Sequence, residues 1–144
     1  MTWTQPSADD LSSCLLLNTV KTARVLTRRY DNRLRPLGLT VAQFSVLSVM
    51  RGNPGKSINA LAERVAMDRS TLTRNIDLLV AKGFVVKTMA ERGNIKTCAL
   101  TEVGTARLDA AIPIWLEARS EMQAQLKDHD PVTYLDALSR LAGD

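Results

Sequence analysis

The sequence is poor in aromatic side chains, in cysteine and in histidine. Phe, Trp and Tyr make up only 4% of its 144 residues, too few for a stacking platform that holds single-stranded nucleic acid. Its two cysteines, Cys14 and Cys98, fall in different elements, and its one histidine, His129, stands between Asp128 and Asp130. A structural zinc site needs about four N or S ligands, so no metal and no other cofactor is expected. There is no Gly-rich phosphate loop and no nucleophile elbow. Glu117 and Glu121 stand at helical spacing on a solvated face, and Asp9-Asp10 makes no catalytic pair either. These absences argue against an enzyme. No apolar run approaches the ~20 residues of a membrane span, and the polar, acidic start MTWTQPSADD is not a signal peptide. Separated cysteines and no export signal lead to the expectation of a reduced, cytoplasmic protein.

What is present is the balance of a soluble globular chain, 45% hydrophobic and 24% charged, at a length that suits one domain. The net charge is +4, and its distribution is uneven. Residues 1–55 hold seven Lys/Arg against three acids, and residues 56–100 hold eight against four. Residues 101–144 reverse this, with four against eight. A chain that faces phosphate with one side only has this asymmetry, although +4 is also ordinary for a soluble domain.

Residues 57–82, SINALAERVAMDRSTLTRNIDLLVAK, read as two helices joined by a tight turn. Ile58, Leu61, Ala62 and Val65 recur at helical spacing, Ala66-Met67-Asp68 interrupts, and a second helix opens near Arg69. Leu72, Ile76, Leu79 and Val80 share one side of it. Ser70, Arg74, Asp77 and Ala81 share the other, flanked by Thr71 and Thr73. Short hydroxyls reach phosphates and base edges, and an arginine can bond guanine through two N–H groups. The pattern fits a helix-turn-helix whose second helix enters a major groove. It fits equally an ordinary αα-hairpin with a wet polar face.

The next residues favour the first reading. Gly83 suits a helix end. Phe84-Val85-Val86-Lys87-Thr88-Met89 reads as a strand, Ala90-Glu91-Arg92-Gly93-Asn94 as a turn, and Ile95-Lys96-Thr97-Cys98-Ala99-Leu100 as a returning strand. A basic-tipped hairpin after a reading helix is a wing, which lays Arg and Lys along the backbone or into the minor groove.

On these residues the chain resembles the multiple-antibiotic-resistance regulator (MarR) family of winged-helix transcription factors. The resemblance is carried by LAERVAMDRSTLTRNIDLLVAKGFV, the hairpin after it and LTEVG, with TRRYDNRLRPLGLTVAQFSVL similar to the family's first two helices. It spans roughly residues 11 to 142. One departure stands out. The family usually carries an Asp-Arg-Arg-like element at the wing, and the matching positions here are Arg92-Gly93-Asn94, leaving Arg92 and Lys96 to supply its charge.

The remaining elements are helical. A first helix over residues 10–35 has a stripe of Leu16, Val20, Ala23, Tyr30 and Leu34 and a basic face of Lys21, Arg24, Arg28 and Arg35, read as solvated. Pro36-Leu37-Gly38 ends it. Thr40 and Gln43 form a capping box for a second helix, and Ser57 is an N-cap for the third. Thr101 and Glu102 open a long fifth helix with an apolar side of Val103, Ala106, Ala110, Ile114, Trp115 and Met122, bent at Pro113. Asp130-Pro131 opens a sixth, with Leu135, Leu138 and Leu141 in a stripe.

The expected fold is therefore mainly α with a small β-hairpin wing. It comprises a winged helix-turn-helix lobe over residues 40–100 and a helical base from residues 10–36 and 102–142, all in one domain of residues 1–144. The terminal helices are too long to bury in so small a lobe, so a second copy of the chain is their economical partner. The resemblance implies the same homodimer, and a ligand cleft lined by the first and second helices and the start of the fifth.

The function expected is sequence-specific binding of double-stranded DNA at a palindromic operator, as a repressor released by a small apolar or aromatic effector. The candidate DNA-facing residues are Ser57, Arg69, Ser70, Thr71, Thr73, Arg74, Asp77, Arg92 and Lys96. The alternative is a thiol-based redox-sensing regulator using Cys14. A branch of the family senses hydroperoxides through a first-helix thiol, but SSCLLLNTV lacks that branch's aromatic neighbours. Cys14 also suits a small apolar residue packed in the dimer base. A winged helix that binds protein instead of DNA is a third class, and the salt dependence of duplex binding separates it.

Overall fold

The structure is a computed structural model that describes residue 7, residues 9–89 and residues 95–144, with backbone only at 95 and 96. Six α-helices and one two-stranded hairpin follow in the expected order. They are α1 (Leu15–Leu34), α2 (Val41–Gly52), α3 (Ile58–Val65), α4 (Arg69–Ala81), β1 (Val85–Met89), β2 (Ile95–Leu100), α5 (Glu102–Ala124) and α6 (Pro131–Ala142). The fold class is the one expected, α with a β-hairpin wing.

Helix starts follow the capping chemistry. Thr40 and Gln43 form a reciprocal capping box at α2. Ser57 Oγ accepts the Ala60 N–H at α3 (3.2 Å) and Thr101 Oγ1 accepts the Gly104 N–H at α5 (3.0 Å). Asp130 caps α6, with Pro131 in its first turn. The first helix departs from expectation. Leu11–Ser13 is a 3-10 turn capped by Asp10, and the chain leaves it extended at Cys14 before α1 begins. Cys14 Sγ accepts the Leu17 N–H at 3.4 Å, so this thiol is the N-cap of α1.

The core lies between α2, α3, α4, the hairpin and the first half of α5. Leu34, Leu47, Leu72, Ile76, Leu79 and Leu108 are fully enclosed there. Each such side chain contributes about 1.5–3 kcal/mol by leaving water. In α4, Leu72, Ile76 and Leu79 are buried and Val80 half-buried, as its pattern required.

The inward face of α5 is not the expected one. Gly104, Leu108, Ala111 and Ala118 point inward, whereas Val103, Ala106 and Ala110 are exposed. The rotation is set at its first turn, where Gly104 lies directly on the backbone of Phe84. Trp115 follows the same stripe and packs within the chain, its ring 5.6 Å from that of Phe44. Pro113 sits inside α5 without ending it.

Polar ties fix the lobe on α1 and α5. Asp31 of α1 accepts the Val41 N–H that opens α2 (2.7 Å). Lys82, at the end of α4, reaches Gly38 O (2.5 Å) and Gln43 Oε1 (3.1 Å). Arg107 of α5 donates to Leu37 O (2.6 Å) and lies over the Phe84 ring. Farther out, Arg33 pairs with Glu121, and Arg29 donates to Gln125 (2.6 Å).

Within the single chain, the apolar faces of α1 and α6 are largely uncovered. Leu16 is 72% exposed, Leu135 55% and Leu141 61%. α6 has no buried residue, and only Leu138 of its stripe is partly covered.

Candidate nucleic-acid interface

The polar side of α4 is presented outward because Leu72, Ile76 and Leu79 anchor the opposite side in the core. Arg69, Ser70, Thr73, Arg74 and Asp77 line one open depression along it. Five of the nine expected residues thus come together. Among the described residues, no hydrogen bond holds either the Arg69 or the Arg74 guanidinium.

The hydroxyls are pre-oriented. Ser70 Oγ donates to Asp68 Oδ1 (2.7 Å), and Thr73 Oγ1 donates to Arg69 O (2.8 Å). Both hydroxyl protons are thus committed, which leaves each oxygen an acceptor. Thr71 is different. Its N–H and hydroxyl both donate to the Asp68 carboxylate (2.7 and 2.8 Å), so it belongs to the cap and lies outside the depression. Hydrogen bonds from Ser70 and then Thr71 pull the Asp68 carboxyl down to about 2. The cap of α4 is thus a firmly ionised carboxylate at the positive end of the helix.

Ser57 is exposed but also lies outside the depression, with its oxygen committed to capping α3. Arg92 falls outside the described residues, as does the turn around it, and the side chain of Lys96 does too.

One participant was not read from the sequence. Lys87 Nζ of β1 bonds Asp77 Oδ1 of α4 at 2.6 Å. The pair joins the hairpin and α4 between residues ten positions apart in the sequence. Only the antiparallel hairpin folding back on α4 makes that contact, so periodicity within either element gave no signal for it.

Cys98 lies opposite Lys87 in the hairpin and is buried. Burial pushes its thiol up, against the nearby Lys87 charge, which fits a packed small apolar side chain. Cys14 is half-buried, and both thiols are free. Among the described residues, no three His, Cys, Asp or Glu side chains gather as a metal site. A second open depression runs along α1, lined by Val20, Arg24, Thr27, Arg28, Asp31 and Arg35 among others. Its lining comes from α1 and its C-cap Arg35 alone.

Known proteins share this fold. A model of the MarR family matches residues 37–93, from the turn before α2 into the wing. The crystal structure of the Mycobacterium tuberculosis transcriptional regulator MosR superimposes with a TM-score of 0.83 at 32% identity, covering 93% of this chain and 96% of that one. The chain belongs to the MarR family of transcriptional regulators. A second MosR structure, in complex with DNA, aligns at 33% identity and a TM-score of 0.77, over 91% of this chain and 97% of that one. The repressor CouR bound to p-coumaroyl-CoA shares the fold at a TM-score of 0.83 and 23% identity, over 94% of this chain and 96% of that one. A putative transcriptional regulatory protein for the hcr operon of Thauera aromatica is 29% identical over 72% of this chain. The match spans 63% of that protein, under two thirds of its length. These relatives are described as transcriptional regulators, MosR and CouR among them. Among the described residues, no helix of the MarR-family chain is long and apolar enough to cross a membrane.

Proposed function

We propose that this MarR-family chain acts as a homodimeric repressor that reads a palindromic operator with α4 and is released by a small apolar or aromatic effector. One observation carries the reading. Arg69, Ser70, Thr73, Arg74 and Asp77 line a single exposed depression on a helix whose other side is anchored in the core. Two cations, oriented hydroxyl acceptors and one carboxylate are a mixed set, suited to base edges as well as phosphates. The structural likeness to a relative solved with DNA supports the same use.

The homodimer rests on the uncovered apolar faces of the 3-10 turn, α1 and α6. Faces of that kind at both ends of one chain are best covered by a second copy. Two reading helices must then meet successive major grooves about 34 Å apart. An effector that prefers a dimer with the wrong spacing lowers DNA affinity by that preference. CouR, solved with p-coumaroyl-CoA, is a relative of the same fold with a bound organic molecule.

A thiol-sensing mode is favoured by one observation. Cys14 Sγ is the N-cap of α1, so oxidation of the sulfur alters how that helix begins. Selection of bound duplexes from a random pool, followed by sequencing, tests the main reading. A palindrome whose half-sites are one helical turn apart is the expected result. A pool without enrichment rejects it. Repeating the selection after mild peroxide treatment, with Cys14→Ser as control, tests the thiol mode.

A further inference from the structure

We propose that Lys87 is a specificity-determining positioning residue that turns Asp77 into a charge-compensated acceptor for the amino group of a cytosine or an adenine. The proposal rests on the reading of α4 as the helix that enters the major groove. Ser70, Arg74 and Asp77 follow one another along its outer face, and Asp77 lines the same depression as Arg74. An ionised carboxylate on such a face is a liability, because the phosphates on both sides of the groove repel it. It is tolerated where a cation cancels its charge. Lys87 does so at 2.6 Å, from β1 of the hairpin.

The geometry also leaves the carboxylate a task. Lys87 takes Oδ1, and Oδ2 has no hydrogen bond to any described residue. A carboxylate only accepts. In the major groove the matching donors are the cytosine N4 and adenine N6 amino groups, whereas guanine and thymine offer acceptors at the corresponding positions. Asp77 therefore selects for C or A next to the base that Arg74 reads. The Lys87 side chain is only 27% exposed, so it holds Asp77 and does not reach out to a phosphate as a free surface lysine would.

The test compares operator preference, base by base, for the wild type, Lys87→Met, Lys87→Arg, Asp77→Ala and the double variant Asp77→Ala/Lys87→Met. Competition binding on single-base variants of the selected duplex gives the preference at each position. The expected result is a loss of roughly tenfold discrimination at one position in Lys87→Met, where the wild type favours C or A. The Arg74 position keeps its preference, and Lys87→Arg keeps both. In the double variant, removing Lys87 changes nothing beyond Asp77→Ala, because Lys87 acts through Asp77. An equal loss at every position in Lys87→Met, with a flatter salt dependence, makes Lys87 a phosphate contact and overturns the proposal. So does a Lys87→Met loss that persists in full on the Asp77→Ala background. Circular dichroism of each variant shows that it is folded. If the wild type prefers no duplex at all, α4 is not a reader, and the proposal falls with that reading.

Discussion

Gly104 stands against the backbone of Phe84 so closely that a β-carbon there would lie 2.0 Å from the Phe84 carbonyl oxygen. The same oxygen accepts the Thr101 N–H at 3.0 Å, and Thr101 Oγ1 donates to Gly83 O at 2.6 Å. The end of α4, the start of the wing and the first turn of α5 are thus fastened backbone to backbone. The neighbour that a methyl group would meet is main chain, which cannot swing aside.

Gly104→Ala is therefore expected to destabilise the fold although alanine favours helix. Overpacking of this kind costs about 1–3 kcal/mol or more, against a helix-propensity gain of about 1 kcal/mol. Urea unfolding checks the sign. A variant as stable as the wild type would mean that α5 can slide away from the wing without loss.

Asp68 gives a pH dependence whose sign can be worked out. Its folded value of about 2 lies below the unfolded carboxylate value of about 3.9. The unfolded chain thus binds the proton first, and stability rises with pH through this window. The contribution is complete above about pH 4 and disappears as pH falls through the folded value. Carbon-detected NMR titration of the Asp68 carboxyl should give a midpoint near 2. Asp68→Asn, which keeps a capping oxygen, should remove that part of the acid dependence. A midpoint near 4 would show that Ser70 and Thr71 do not hold the carboxylate.

Most of the caps were legible because they are local. Thr40 with Gln43, Thr101, and Asp130 with Pro131 announce a helix start within four residues. The buried side of α4 was legible for the same reason. The face of α5 was not, because its apolar and small residues run round most of the helix. Gly104, Leu108 and Ala111 compete there with Val103, Ala106 and Ala110, and the choice is made by contact with Phe84. The Asp77–Lys87 pair was hidden because it joins two elements across the fold. Thr71 looked like a reader by type, yet its hydroxyl serves Asp68. The break at Cys14 was masked by an apolar run, LLL, that continues past it.

Arg74→Ala is expected to cost about 1–3 kcal/mol on the selected operator and to relax preference at one base pair. Arg74 is exposed, and its neighbour on the face, Ser70, offers an acceptor rather than a competing charge. Binding to the selected and to a scrambled duplex, measured at the same salt concentration, separates the two kinds of contact. An equal loss on both would assign Arg74 to a phosphate.

The dimer is best tested at Leu135. Leu138 is a natural target in the α6 stripe, but it is partly covered within its own chain, so its loss mixes two effects. Leu135 is 55% exposed in the single chain. A carboxylate there meets water if the chain is alone, and the substitution is then nearly neutral. If a second copy covers α6, the same carboxylate is buried without a partner. Leu135→Asp should then weaken association by at least about 2 kcal/mol, roughly thirtyfold. Obligate dimers often have no stable folded monomer. The variant should therefore sediment as monomer or unfold at lower urea, and lose operator binding with it, since one lobe meets only one half-site. A Leu135→Asp protein that sediments like the wild type and binds the operator unchanged would place the dimer contact away from α6. A wild type that is itself monomeric while bound to a palindrome would remove the spacing mechanism altogether.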